Sequence, residues 1–263
     1  MKYKKIDTKL FVKNRKNFVN KLEQKSIAFF NSNDIYPISA DSTLPFDQHR
    51  DIFYLSGIDQ EESILVLFPD SVNENFKEIL FIRETNDHIV HWEGEKLTKE
   101  QAKNISGINN IFWLGEFDDI LSDVLKKADF VYINTNEHYR QNVQTQTRED
   151  RFISKLKNIG GLNFKKSNPI LQKQRSIKDN IEIELIKTAC EITKMGFLRV
   201  LNFIKPGVWE YEIEAEFSHE FLKNRSRKFA YTPIIASGRN SNFLHYIYNN
   251  KQCLDGEIVL MDV

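Results

Sequence analysis

Phe229-Ala230-Tyr231-Thr232-Pro233-Ile234-Ile235-Ala236-Ser237-Gly238-Arg239-Asn240, followed by Leu244-His245-Tyr246 and then by Gly256-Glu257-Ile258-Val259-Leu260-Met261-Asp262, is the stretch on which the reading of the fold turns. Locally, an apolar strand runs into a small-residue turn, a histidine sits between Leu244 and Tyr246, and a second apolar strand delivers an aspartate at its end. Each piece alone is ordinary. A histidine among apolar neighbours is commonly a hydrogen-bonded structural residue, and an aspartate closing a strand is a common turn former. Their succession carries the information.

Upstream, Ser176-Ile177-Lys178-Asp179 has the spacing of a capping box, which predicts a long helix after it. Ile181, Leu185, Ala189, Ile192, Met195 and Leu198 then recur at three- and four-residue steps until Lys205-Pro206-Gly207, where proline and glycine forbid continuation. A second helix restarts at once, with Trp209, Ile213, Phe217 and Phe221 as its apolar stripe. Glu210, Glu212, Glu214 and Glu216 are read as its solvated face. Turn residues at Asn158-Ile159-Gly160-Gly161 and Asn168-Pro169 mark a boundary near Leu171, giving domains over residues 1–172 and 173–263.

The first of these alternates short β-rich runs with helical patterns. Candidate strands are Ile27–Phe30, Phe53–Leu55, Ile64–Phe68, Ile79–Ile82 and Phe130–Ile133, each bounded by Asn, Asp, Gly or Pro. Between them, Lys9–Leu22 and Phe117–Lys127 carry apolar residues at helical spacing. Strands this continuously apolar are covered on both faces, so an α/β mixed sheet with flanking helices is expected.

Composition limits the function. At 263 residues, 41% hydrophobic and 28% charged, the chain can bury two ordinary cores. Lys plus Arg and Asp plus Glu both number 37, so there is no net field to attract nucleic acid. The basic start leads into Leu10-Phe11-Val12-Lys13 rather than a secretory apolar run, and no stretch of about 18 apolar residues follows to span a membrane. Cys190 and Cys253 sit in apolar segments without CxxC spacing, as reduced core residues of a cytoplasmic protein would.

The order of the Pro-Ile-Ile-Ala-Ser-Gly strand, Asn240, Leu244-His245-Tyr246 and the strand ending at Asp262 resembles the pita-bread metallopeptidases. That superfamily holds Xaa-Pro aminopeptidase, prolidase, methionine aminopeptidase and the metal-free creatinase. The match begins at Arg175-Ser176-Ile177-Lys178, and Gln48–Gly57 with Ile64–Leu67 is similar to the N-terminal domain of the Xaa-Pro aminopeptidase and prolidase branch. The resemblance therefore implies an α/β plus α+β chain: a creatinase-type N-terminal domain, then a truncated pita-bread domain.

It further implies hydrolysis of peptides with N-terminal Xaa-Pro by two divalent metal ions, most commonly Mn2+, bound by two aspartates, a histidine and two glutamates. Asp262 matches the first ligand, and the others fall beyond Val263, so this stretch alone is expected to be inactive. His245 matches a residue that lines the substrate pocket and stabilises the tetrahedral intermediate, which makes it the catalytic candidate. Tyr231 matches a residue supporting the metal's ligands from behind, and Trp92, in His91-Trp92-Glu93-Gly94, one that reaches a neighbouring subunit's pocket in a homodimer or homotetramer. Without the resemblance, Trp92 reads as a packed aromatic. Prolidase, a creatinase-like hydrolase and a ligand-less binding module share this outline. Retention of Asp262 argues against creatinase, and the remaining ligands would decide the binding module.

Overall fold

The computed structural model of the protein describes residues 3–138 and 144–263. In chain order the first part forms α1 (Thr8–Val19), β1 (Ser26–Asn31), β2 (Pro37–Ser39), β3 (Ser42–Thr43), α2 (Arg50–Ser56), β4 (Ile64–Leu67), β5 (Glu78–Ile82), α3 (Asp87–Glu93), α4 (Lys99–Ser106), β6 (Asn110–Trp113), α5 (Phe117–Leu125), β7 (Phe130–Ile133), α6 (Arg148–Ile159), β8 (Asn163–Lys166) and α7 (Asn168–Ser176). The second forms α8 (Asn180–Phe203), α9 (Glu210–Lys223), β9 (Ile234–Ser237) and β10 (Val259–Asp262).

The first unit, Ile6–Ile177, is built on a six-stranded sheet ordered β6-β5-β4-β1-β7-β8. It is mixed, as expected: β4 runs antiparallel to β1 and β5, whereas the β5–β6, β1–β7 and β7–β8 pairs are parallel. Alternation sorts the side chains. Ile27, Phe29, Val66, Phe81 and Val131 pack against α5 and α6 on one face. Ala28, Phe30, Leu65, Leu80 and Tyr132 pack on the other, with Phe18 of α1, Ile52 and Leu55 of α2 and Leu171 of α7. Both faces are covered, which is why the strands read as unbroken apolar runs.

One expected strand is a helix. Phe53-Tyr54-Leu55 lies inside α2, where Ile52, Leu55 and Ser56 are the buried positions, a helical rather than alternating set. Nδ1 of His49 accepts from the Asp51 amide at the start, and Gly57 closes the helix at φ +71°. The aromatic run had suggested a strand, but these two end signals decide the local conformation.

The turn at Gly160–Gly161 leads into β8 and α7, and the division between the units falls after Ile177. Ser176 is the last residue of α7. The capping box of α8 is formed instead by Asp179 and Glu182, with Asp179 Oδ1 accepting from the Ile181 amide at 2.9 Å and the Asp179 amide donating to Glu182 Oε2 at 2.7 Å.

The second unit is Lys178–Val263 with the start of the chain, where Arg225 donates to the Tyr3 carbonyl at 3.3 Å. Its core joins Val200 and Phe197 of α8 to Ile213, Phe217 and Phe221 of α9, with Ile235 and Cys253. The stripe expected on α8 is displaced: Leu185 and Leu198 are exposed, and the buried positions are Gly196 and Val200. At Gly196 the rings of α9 press against the α8 backbone, since a Cβ there would lie 2.8 Å from Phe217 Cδ1 and 2.9 Å from Phe221 Cε1. Cys253 is buried as expected, but Cys190 faces outward.

Candidate functional site

Two of the expected site residues of the second unit, Tyr231 and Asp262, meet at the β9–β10 ladder. Its antiparallel register sets Ile234 opposite Asp262 and Ser237 opposite Val259, so Asp262 stands where β9 begins. Just before β9, the Tyr231 phenol donates to Asp262 Oδ1. That bond, with some burial, holds the phenol above its ordinary pKa, so Tyr231 keeps its proton and orients the carboxylate.

His245 lies beyond the opposite end of β9, exposed, after the 3-10 turn Gly238–Asn242. Among the described residues no hydrogen bond joins it to the Tyr231–Asp262 pair. Trp92 belongs to the first unit, on α3, and is 74% exposed. The His91 ring meets it edge-on at 5.5 Å, and the following Glu93 is clamped by Arg83 at 2.8 and 3.0 Å. Trp92 is therefore presented outward rather than packed.

The acids of α9 were expected to be solvated, and all four are engaged, Glu212 by accepting from the Trp209 amide at 2.7 Å. Glu210 is fully buried and accepts four hydrogen bonds: from the Ser237 amide at 2.6 Å and hydroxyl at 2.8 Å, the Tyr246 hydroxyl at 2.7 Å and the Lys251 amide at 2.9 Å. Burial pushes its pKa up, but the hydrogen bonds together hold it below the ordinary value. Glu214 accepts from Asn249 at 2.8 Å, and Glu216 pairs with Arg199. Sequence reading missed Glu210 because it is one of four alternating glutamates and its donors lie 27 to 41 positions away.

The Ser237–Gly238 turn is enclosed from the other side by Lys251 and Glu257, paired at 2.8 Å. Gly238 has φ +53°, a conformation that favours glycine, and the ends of the Glu257 and Lys251 side chains close over it where a Cβ would stand. The Gly238 amide donates to the Ile258 carbonyl at 2.8 Å.

The donor set does not by itself make a metal centre. Among the described residues no group of three or more His, Cys, Asp or Glu side chains is placed to hold a metal ion. Asp262 stands as one hard oxygen donor, with Oδ1 taken by Tyr231.

Residues 11–132 match the aminopeptidase P N-terminal domain, and residues 184–263 match metallopeptidase family M24. The chain belongs to the aminopeptidase P group of family M24. Among curated relatives, the Xaa-Pro aminopeptidase of Haemophilus influenzae is 31% identical over 84% of this chain and 49% of its own length. The Xaa-Pro aminopeptidase of Escherichia coli is 28% identical over 98% of this chain and 58% of its own. The chain spans about half the length of the curated relatives it matches.

Solved aminopeptidase P structures superpose on it closely. Aminopeptidase PepP from Pseudomonas aeruginosa gives a TM-score of 0.87 at 27% identity, covering 98% of this chain and 58% of that one. A low-pH form of aminopeptidase P from E. coli gives 0.86 at 27%, covering 98% and 59%. No helix among the described residues is long and apolar enough to cross a membrane.

Proposed function

We propose that the protein to which this chain contributes is a metal-dependent Xaa-Pro aminopeptidase, releasing the N-terminal residue from peptides with proline in second position. The Tyr231–Asp262 pair carries the reading. A carboxylate held by a phenol at the mouth of a two-strand ladder is a preorganised donor, and it lies in a chain whose two parts match aminopeptidase P and family M24. Two divalent cations, manganese by preference, would supply an activated water and hold the developing oxyanion. Such a centre needs donors that the described residues do not bring together. What this chain contributes is orientation: Tyr231 aims Asp262, and His245 stands exposed where a peptide could reach it.

The bond to proline is a tertiary amide with no N–H, so a pocket that reads shape at the imidazole serves better than one that needs that donor. The outward presentation of Trp92 suits contact with a neighbouring subunit in a homodimer or homotetramer. A cytoplasmic protein with no nucleic-acid or membrane partner completes the proposal, supported by the balanced charge and the two free cysteines.

The test is hydrolysis by the full-length protein, with manganese and after chelation, of an Xaa-Pro-containing tripeptide and an Xaa-Pro dipeptide. Expected are cleavage of the tripeptide at its first bond, loss on chelation, and loss in Asp262→Ala. Cleavage of the dipeptide alone would make the protein a prolidase, and cleavage of neither would overturn the enzymatic reading.

A further inference from the structure

We propose that Glu210 is a positioning residue for substrate handling at His245, acting through the Tyr246 hydroxyl. This rests on the reading of His245 as a substrate-contacting residue. A carboxylate offers about four lone-pair directions, and four donors occupy those of Glu210 with no water needed. Where the donors come from gives the arrangement its meaning. Ser237 is the last residue before the segment that carries the histidine, Tyr246 directly follows His245, and Lys251 lies where the chain returns. One buried anion at the first position of α9 thus holds the entry, the middle and the exit of that segment.

The middle attachment matters most. From Phe243 to Tyr248 the side chains are largely outside the core, with Leu244 90% exposed and Tyr248 78% exposed. Among the described residues, the bond from Tyr246 to Glu210 is the one hydrogen bond by which this stretch reaches outside residues 238–250. Packing does not fix His245, so its imidazole can hold a defined place only through its neighbour. Tyr246 has its ring toward Tyr248, with centroids 6.2 Å apart, and its hydroxyl on Glu210. The anchor itself does not yield, because Glu210 is tied to the β9 end by two further bonds and its amide donates to the Lys251 carbonyl at 3.0 Å.

A structural role alone and a positioning role separate in a double-mutant cycle on the full-length protein with manganese, using a fluorogenic Xaa-Pro peptide. Tyr246→Phe removes the hydroxyl and keeps the ring, and His245→Ala removes the imidazole. Tyr246→Phe should lower kcat/KM about tenfold, the loss of one hydrogen bond to a charged group, and should cost nothing further in the His245→Ala background. Glu210→Gln, which sets an amide N–H2 against backbone donors, should lower kcat/KM at least as much. If Glu210→Gln does not fold, the tyrosine variant carries the test.

The proposal is overturned if Tyr246→Phe keeps the parent kcat/KM, or loses the same factor with and without His245, since a purely structural bond would act independently of the imidazole. His245→Ala hydrolysing at the parent rate would instead remove the substrate role of His245, and the proposal with it.

Discussion

Raising the pH from about 4.5 to about 7.5 should destabilise the first unit through a single side chain, Glu149. Its carboxylate lies in the first turn of α6, over the ends of β1 and β7, where Oε2 accepts from Asn31 Nδ2 at 2.8 Å and Oε1 from the Asn134 amide at 3.3 Å. Burial pushes its pKa from 4.5 to about 7 against those hydrogen bonds, and the adjacent Asp150 charge adds to the rise. The folded state therefore prefers the protonated form. Its contribution is fully present below about 4.5 and is lost as the pH climbs through about 7. At ~1.4 kcal/mol for each tenfold change in proton affinity the full effect is about 3 kcal/mol, and solvent at the partly exposed rim reduces it to about 2.

The assay exploits where the three tryptophans lie. Trp92 and Trp113 belong to the first unit and Trp209 to the second, so urea unfolding followed by fluorescence in a Trp209→Phe background reports the first unit. Between about pH 4.5 and 7.5, Glu149→Gln should gain about 2 kcal/mol relative to its parent, because the amide does not titrate. A difference that stays constant across the range would refute the assignment of this proton to Glu149.

Two further perturbations test the frame around the sites. Gly57 ends α2 at φ +71°, and a Cβ there would lie 2.4 Å from Phe11 Cε2. Gly57→Ala should therefore cost about 1–3 kcal/mol more in the parent than in a Phe11→Ala background in the same urea assay, and equal costs would mean that Phe11 swings aside freely. Asn249 serves β9 as a substitute strand partner, accepting from the Ile235 amide at 2.9 Å and donating to the Pro233 carbonyl at 3.0 Å. Asn249→Ala should destabilise the second unit by about 2–4 kcal/mol, followed by Trp209 fluorescence without the other two tryptophans; an unchanged midpoint would show that these buried groups find other partners.

What could be read from the chain was whatever its neighbours in sequence determine. The central strands β1, β4, β5 and β7 were legible because burial on both faces writes itself as a continuous apolar run. The helix pair α8–α9 was legible from its period and from the Pro206-Gly207 break. Phe53-Tyr54-Leu55 misled because β-propensity there is overridden by a histidine cap and a left-handed glycine. The stripe on α8 shifted because Gly196, small enough to admit Phe217 and Phe221, sets which face approaches α9. Asp262 and Tyr231 were both picked out, but only the register of β9 on β10 shows that they touch.

That register also explains why Glu210 could not be found by pattern. Asp262 faces Ile234 and Ser237 faces Val259, so the oriented carboxylate and the residue that Glu210 grips stand at opposite ends of one short ladder, ~10 Å apart at about 3.4 Å per residue. The chain leaves the ladder at Ser237, and the residues from there to His245 could span more than twice that length when extended, at about 3.3 Å each. Connectivity thus leaves the imidazole free to stand near Asp262 or far from it. The hydrogen bond from Tyr246 to a buried carboxylate removes that freedom, and the carboxylate comes from a helix whose other acids look alike in sequence. A glutamate becomes special here by the donors that converge on it, and those are set by the fold of the whole unit rather than by the residues beside it.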